Sequence, residues 1–336
     1  MTPYERLDSI FSFESMKEPM PFVEWATWWD ETIVNWRRQG LPENIDTNEE
    51  IMEYLGLDIH RQFWLPLRSP SFPKPAFHGG PLVESFDDYR QIKKYLFGDE
   101  LLEKFEADIK NSLEFFKNKD PIYWFTLEGF FWFPRSLLGI EGHLLAFYDS
   151  PALMHQINGD LCGFHEKCLD LILNLFEPKF MTFAEDMSYN GGPMLSKAHY
   201  DEFILPYYDR LVPRLKNHNV KVFIDTDGFV EPLIPWFLQS GVEGVLPLER
   251  MAGVDVNRIR KNYPNFLMIG GFDKTVMPKG EKAMREEFER LLPLMASGGY
   301  LLSVDHQTPP DVSLENYRLY VSLMREYAQK ALEINI

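Results

Sequence analysis

The chain has 336 residues, a formal net charge of −17 and 45% hydrophobic residues. That charge repels nucleic acid and anionic membrane surfaces, and the apolar content supports a large core rather than disorder. No apolar run approaches the ~20 residues of a membrane span, and the opening MTPYERLDSIF has no secretory leader pattern, so a cytoplasmic protein is expected.

The first hundred residues are mixed. Residues 21–40 (PFVEWATWWDETIVNWRRQG) predict a short strand feeding an aromatic helix that stops at Gly40. Residues 64–80 (WLPLRSPSFPKPAFHGG) are rich in Pro and Gly and predict irregular or short-strand structure. After residue 100 the pattern is regular. Helical periodicity covers 100–117, 144–176, 199–218, 279–296 and 313–332. Short apolar runs at 121–128, 179–186, 220–228, 242–249, 265–273 and 299–306 read as strands.

Buried strands alternating with helices predict parallel βα units. No Gly-x-Gly-x-x-Gly follows the first strand, which argues against a dinucleotide-binding sheet. Cys162 and Cys168 fall six apart on a predicted helix, about 600° of turn, so they share no face and form no disulfide or thiolate metal site. The expected fold is a single domain over 1–336, a (β/α)8 TIM barrel with an N-terminal extension over about 1–118.

Four successive strands end in acids: Asp225 with Asp227, then Glu249, Asp273 and Asp305. In a βα barrel the C-terminal strand ends carry the active site. Asp225 and Asp227 are two apart, point the same way in extended chain and can converge, and Gly228 lets the chain turn close to them. Two carboxylates at one point need a cation or a proton between them. The plain alternative is a helix cap followed by a turn Asp. In Ser303–Pro310, His306 is a ligand, a general acid or a substrate anchor, or simply a histidine bonded to its loop. Glu185 and Asp186 end another strand, and one of the pair is expected to face the mouth. Asn190 to Pro193 forms a loop that could line the pocket, and Ser196 caps the next helix. The aromatic run from Trp124 through Phe131 and Trp132 to Phe133 reads either as core or as a substrate wall.

At these residues the chain resembles the uroporphyrinogen decarboxylase superfamily. EDMSYNGGPMLSKAHYDEFILPYYDRL is similar to the family's strand, glycine loop, serine and F-x-x-P-Y helix; IGGFDK and GGYLLSVDHQTPPDVSLENYRLYVSLMREY resemble its last two barrel units. The porphyrinogen decarboxylases of this family bind their polycarboxylate substrate with an N-terminal Arg-Gln-Ala-Gly-Arg motif. Here the matching region reads Phe22-Val23-Glu24-Trp25-Ala26-Thr27-Trp28-Trp29, without either arginine. The resemblance therefore points to the family's cobamide-dependent methyltransferase branch. In that branch a zinc-binding His-x-Cys-Gly falls on Asp225–Gly228 and a later Cys falls on His306. It implies a divalent metal, zinc foremost, on Asp225, Asp227 and His306.

An oxygen-rich ligand set suits activation of oxygen rather than of a thiol. The implied activity is demethylation of an O-methyl compound, a methoxyaromatic, with the methyl group passing to Co(I) of a separate corrinoid protein. The cobamide belongs to that partner, because the chain has no Asp-x-His-x-x-Gly motif. Glu249 or Glu185, with Asp186, would deliver a proton. Trp25, Trp28, Trp29, Trp124, Phe131, Trp132 and Asn190 would hold the ring. A homodimer is left open. The rival readings are a metal-free decarboxylase or lyase using Asp225 or Asp227 as proton relay, and a non-catalytic barrel that binds an aromatic ligand.

Overall fold

The runs LMIGGF and YLLSV are buried along their whole length, as expected of parallel strands covered on both faces. In the computed structural model, which describes residues 1–335, they lie in one parallel sheet. Helices α1 (Pro3–Phe11), α2 (Asp30–Arg38) and α3 (Asn48–Leu55) precede β1 (His60–Trp64). Then come α4 (Phe86–Ile92), α5 (Asp99–Phe115), β2 (Ile122–Glu128), α6 (Trp132–Leu138), α7 (Ile140–Asp149), α8 (Pro151–Leu175) and β3 (Phe180–Ala184). A small hairpin of β4 (Ser188–Tyr189) and β5 (Gly192–Pro193) leads into α9 (Lys197–Phe203) and α10 (Leu205–Asn217). The closing units are β6 (Lys221–Asp225), α11 (Ile234–Gln239), β7 (Gly244–Leu246), α12 (Val256–Asn262), β8 (Leu267–Phe272), α13 (Glu281–Ala296), β9 (Tyr300–Val304) and α14 (Leu314–Asn335).

Among the described residues the main sheet has seven strands in the order β1-β2-β3-β6-β7-β8-β9, not the eight expected. It is a curled, TIM-barrel-like α/β fold, and the segment Phe22–Trp25 spans its two end strands. On the β1 side, Phe22 O accepts from Asp58 N at 2.9 Å, and His60 Nε2 donates to Glu24 O at 2.6 Å. On the β9 side, Trp25 N donates to Ser303 Oγ at 3.0 Å and Trp25 Nε1 to Val304 O at 2.8 Å. The short strand expected here is thus extended chain bonded largely through side chains instead of a backbone ladder.

Two other expectations need correction. The single helix over 144–176 is α7 and α8, broken at Ser150–Pro151, where Pro takes the first turn of the second helix. The helix over 199–218 is α9 and α10, broken at Ile204, with Pro206 in the first turn of α10.

Glu24 is the keystone of the bridging segment. It is fully buried, accepts from Val304 N at 3.0 Å and Tyr317 Oη at 3.2 Å, and also bonds the Ser303 hydroxyl. Burial outweighs these donors and pushes its carboxyl up to about 7. A carboxyl raised above its ordinary value near 4.5 holds its proton more tightly in the folded state. Its stabilising contribution is therefore full below about pH 4.5 and is lost as pH rises through about 7. Glu24→Gln keeps the shape and removes the titration. Urea denaturation is expected to show nearly unchanged stability at pH 4.5 and a gain on the order of 2 kcal/mol over wild type at pH 8. Identical pH dependence in the two proteins would refute this.

Candidate active site

β6 ends at Asp225, and the alternation of extended chain continues two residues further. Asp225 and Asp227 both line one cavity, while Thr226 between them turns the other way. The Thr226 hydroxyl accepts from Met187 N at 2.9 Å and pairs with Ser188 Oγ at 3.0 Å, tying the acid pair to the β4–β5 hairpin. Gly228 has φ +83°, and a Cβ there would fall 2.6 Å from the Tyr189 backbone. Its N–H donates to Glu249 Oε2 at 2.9 Å. Glycine thus allows both the left-handed turn and the close approach of the hairpin.

Asp227, Glu249 and His306 converge. Each offers a ligand atom, and these atoms all lie within 4.8 Å of one another. His306 Nε2 is 3.7 Å from Asp227 Oδ2. Asp305 fixes the loops that carry them: it is fully buried and accepts from Arg250 N at 3.0 Å and Lys274 N at 3.3 Å. Two carboxylate oxygens and an imidazole nitrogen suit a divalent ion such as zinc, with at least one position open to substrate. The electrostatics agree. Burial and the charges of Glu249 and Asp186 push Asp227 up to about 7, opposed by Lys274. Burial and Lys274 hold His306 below its ordinary value. Burial, with Asp227 and Asp186 nearby, holds Asp225 well above the usual carboxylate range. The group is short of positive charge, which an ion would supply.

The sequence grouped Asp225 with Asp227 and His306. The geometry instead brings Glu249 into the trio and leaves Asp225 beside it. Glu249, expected to deliver a proton, places its carboxylate within ligand reach of Asp227 and His306.

The cavity has a volume of about 660 Å³. Trp25 and Trp132 line it as expected, and so does Asp186. Trp64, Arg61 and Gln62 also line it and were not foreseen. They lie on β1, whose HRQFW has no apolar alternation to mark it as a strand. Other expected contacts lie elsewhere. Trp28, 3% exposed, packs in the core against Trp36 and Tyr317. Trp124 stacks on Phe180 at 5.1 Å, and Phe131 packs on His143 at 4.6 Å; both are buried away from the cavity. Asn190 is exposed at the hairpin turn, and Trp29 is exposed at the start of α2.

Glu185 reaches the cavity wall, but its oxygens are committed. They accept from Phe130 N at 2.9 Å, Phe131 N at 2.7 Å and Trp132 N at 3.2 Å, and from the Tyr208 hydroxyl. The carboxylate caps the first turn of α6, in place of the donor role expected for it. Burial nonetheless pushes it up to about 7, against these donors.

The TIM-barrel-like sheet carries an acid and histidine cluster at its late strand ends, and known proteins resemble it. Residues 182–327 match the family described as Uroporphyrinogen decarboxylase (URO-D). Over that region the chain is similar to the uroporphyrinogen decarboxylase family, as its motifs led one to expect. The uroporphyrinogen decarboxylase of Ruthia magnifica subsp. Calyptogena magnifica is 22% identical over 83% of this chain and 78% of its own. That of Hydrogenobaculum sp. (strain Y04AAS1) is 22% identical over 82% and 79%. Among solved structures, a methyltransferase from Methanosarcina mazei superposes with a TM-score of 0.64 at 15% identity, over 97% of this chain and 99% of that one. That likeness establishes the fold. No described helix is long and apolar enough to cross a membrane.

Proposed function

We propose that the protein is a methyltransferase that takes a methyl group from an O-methyl substrate, a methoxyaromatic, and passes it to Co(I) of a corrinoid carried by a separate protein. The observation that carries the reading is the Asp227–Glu249–His306 group beside a cavity walled by Trp25, Trp64 and Trp132. The absence of arginines in Phe22–Trp29 and the net charge of −17 argue against a porphyrinogen polycarboxylate as substrate.

A divalent ion held by Asp227, Glu249 and His306 would supply Lewis acidity toward the ether oxygen. The chain's own residues do the rest. The tryptophan walls orient the ring and exclude water. The methyl carbon leaves its oxygen, the bonding pair stays on oxygen, and the phenolate takes a proton. Of the acids assigned to that proton, Glu185 is bonded on both oxygens and Glu249 stands with the ion. Asp186 lines the cavity and is left to relay it.

A second reading keeps one specific support: the raised Asp225 carboxyl could relay a proton in a metal-free lyase. The test is to mix the protein with a reduced corrinoid protein and a methoxyaromatic and follow the cobalt spectrum. Loss of the Co(I) band with release of the phenol is expected. No change with any methyl ether donor would sink the proposal.

A further inference from the structure

We infer that Gly270 of β8 is a positioning residue for the ion trio, bringing Glu249 within reach of His306; this rests on reading Asp227, Glu249 and His306 as the ligands. Glu249 follows β7 and His306 follows β9, and β8 runs between those two strands. Neighbouring strands lie ~4.8 Å apart, so strands one removed are about 10 Å apart. The ligand atoms of Glu249 and His306 nevertheless lie within 4.8 Å of each other. The two strand ends must therefore lean together over the end of β8.

The IGGFDK run of β8 allows this. Its ladder with β9 continues through Gly270, Gly271 and Phe272, whereas its register with β7 covers only Gly244 with Leu267 and Val245 with Met268. The β7 chain then turns away and is held by the bond from Gly271 N to Pro247 O at 2.9 Å. Gly270 has φ +104°, and a Cβ there would fall 2.2 Å from Pro247 O and 3.2 Å from Val304 O. Both oxygens belong to the backbone of strand ends that carry ligands, and only glycine leaves room between them. The shorter contact decides the direction of any displacement. A side chain at 270 would push the β7 end outward, and Glu249 with it.

The β7 side carries a matching constraint. Leu248, immediately before Glu249, is left-handed at φ +68° and only 1% exposed. That backbone is strained for a leucine and persists only where its surroundings enforce it. Burial of the Leu248 side chain and the Gly271–Pro247 bond hold the turn that aims Glu249. Gly228 N then fixes the carboxylate from the β6 side, donating to Glu249 Oε2 at 2.9 Å.

The test is the zinc affinity of the purified protein, measured by equilibrium dialysis with metal analysis, which needs neither substrate nor corrinoid. Gly270→Ala is expected to weaken zinc binding at least about tenfold. In a Glu249→Ala background the same change should cost less than about twofold, since the ligand it displaces is already gone. Gly40→Ala is the control. At φ +108°, with nothing within 4 Å of an added Cβ, it brings similar backbone strain without a clash, and zinc binding should match wild type. Where Gly270→Ala does not fold, Leu248→Gly tests the turn from the β7 side; it frees the backbone and should weaken zinc binding about tenfold. A folded Gly270→Ala or Leu248→Gly protein that holds zinc within about twofold of wild type overturns the inference. So does a loss that Gly40→Ala shares, or one that persists undiminished without Glu249. Wild-type protein that binds no zinc overturns the ligand reading and this one with it. Zinc binding by wild type and equally by Gly270→Ala overturns this one alone.

Discussion

Removing either Asp227 or His306 is expected to weaken zinc binding by at least about 100-fold, measured by equilibrium dialysis and metal analysis. Glu249→Ala should do the same, because the Glu249 oxygen lies within 4.8 Å of the other two ligand atoms. Asp225→Ala should retain the metal. This last variant decides between the grouping drawn from sequence spacing and the one drawn from geometry. If Asp225→Ala loses the metal and Glu249→Ala keeps it, the trio proposed here is wrong. The pH dependence has a definite sign. The ligands must be deprotonated to bind, and Asp227 is pushed up to about 7. Zinc affinity should therefore rise as pH increases toward and through about 7 and level off above it. Methyl transfer from an ether should fall with the metal in all three ligand variants, since the ether oxygen then meets no Lewis acid.

The second large effect concerns stability. Glu185→Ala is expected to destabilise the protein by about 3 kcal/mol, read from urea denaturation with an unchanged slope. The substitution strands three backbone N–H groups at the start of α6 and the buried Tyr208 hydroxyl. Glu185→Gln should recover little. Its amide turns a donor toward groups that are donors themselves. Gly129 packs flat on the same carboxylate, and a Cβ there would fall 2.0 Å from it, so Gly129→Ala should be similarly damaging. A loss below about 1 kcal/mol for Glu185→Ala would mean that water entering from the cavity replaces the carboxylate.

Much of this could be read from the chain. The six strands called from apolar runs are all present, because a parallel strand buried on both faces leaves an uninterrupted hydrophobic signature. The alternation that points Asp225 and Asp227 one way and Thr226 the other is a property of extended backbone, and it survives into the structure. What stayed hidden has physical reasons. β1 escaped notice because His60, Arg61, Gln62 and Trp64 all line the cavity, so its pattern is that of a binding surface. Trp28, Trp124 and Phe131 could not be told from wall residues, since an aromatic ring serves a core and a pocket equally well. The approach of Glu249 to His306 is a long-range contact between different strand ends, and no local spacing encodes it. The break between α7 and α8 carried a signal in Pro151, but the amphipathic period runs on across it and masks the interruption.

The bridge from Phe22 to Trp25 has a consequence for the order of events in synthesis. Trp25 and Ser303 are 278 residues apart, and Glu24 and Tyr317 are 293 apart. These contacts cannot form until almost the whole chain has left the ribosome. The β1 side of the bridge, 36 residues in span, can form early, but until the chain is nearly complete the β8 and then the β9 edge lacks its cover and presents unpaired backbone, the condition in which sheets recruit the wrong neighbour. Closure of the ring is thus a late, high-contact-order step. Chains truncated before β9 should accumulate as aggregation-prone intermediates, even though every βα unit up to that point is already encoded.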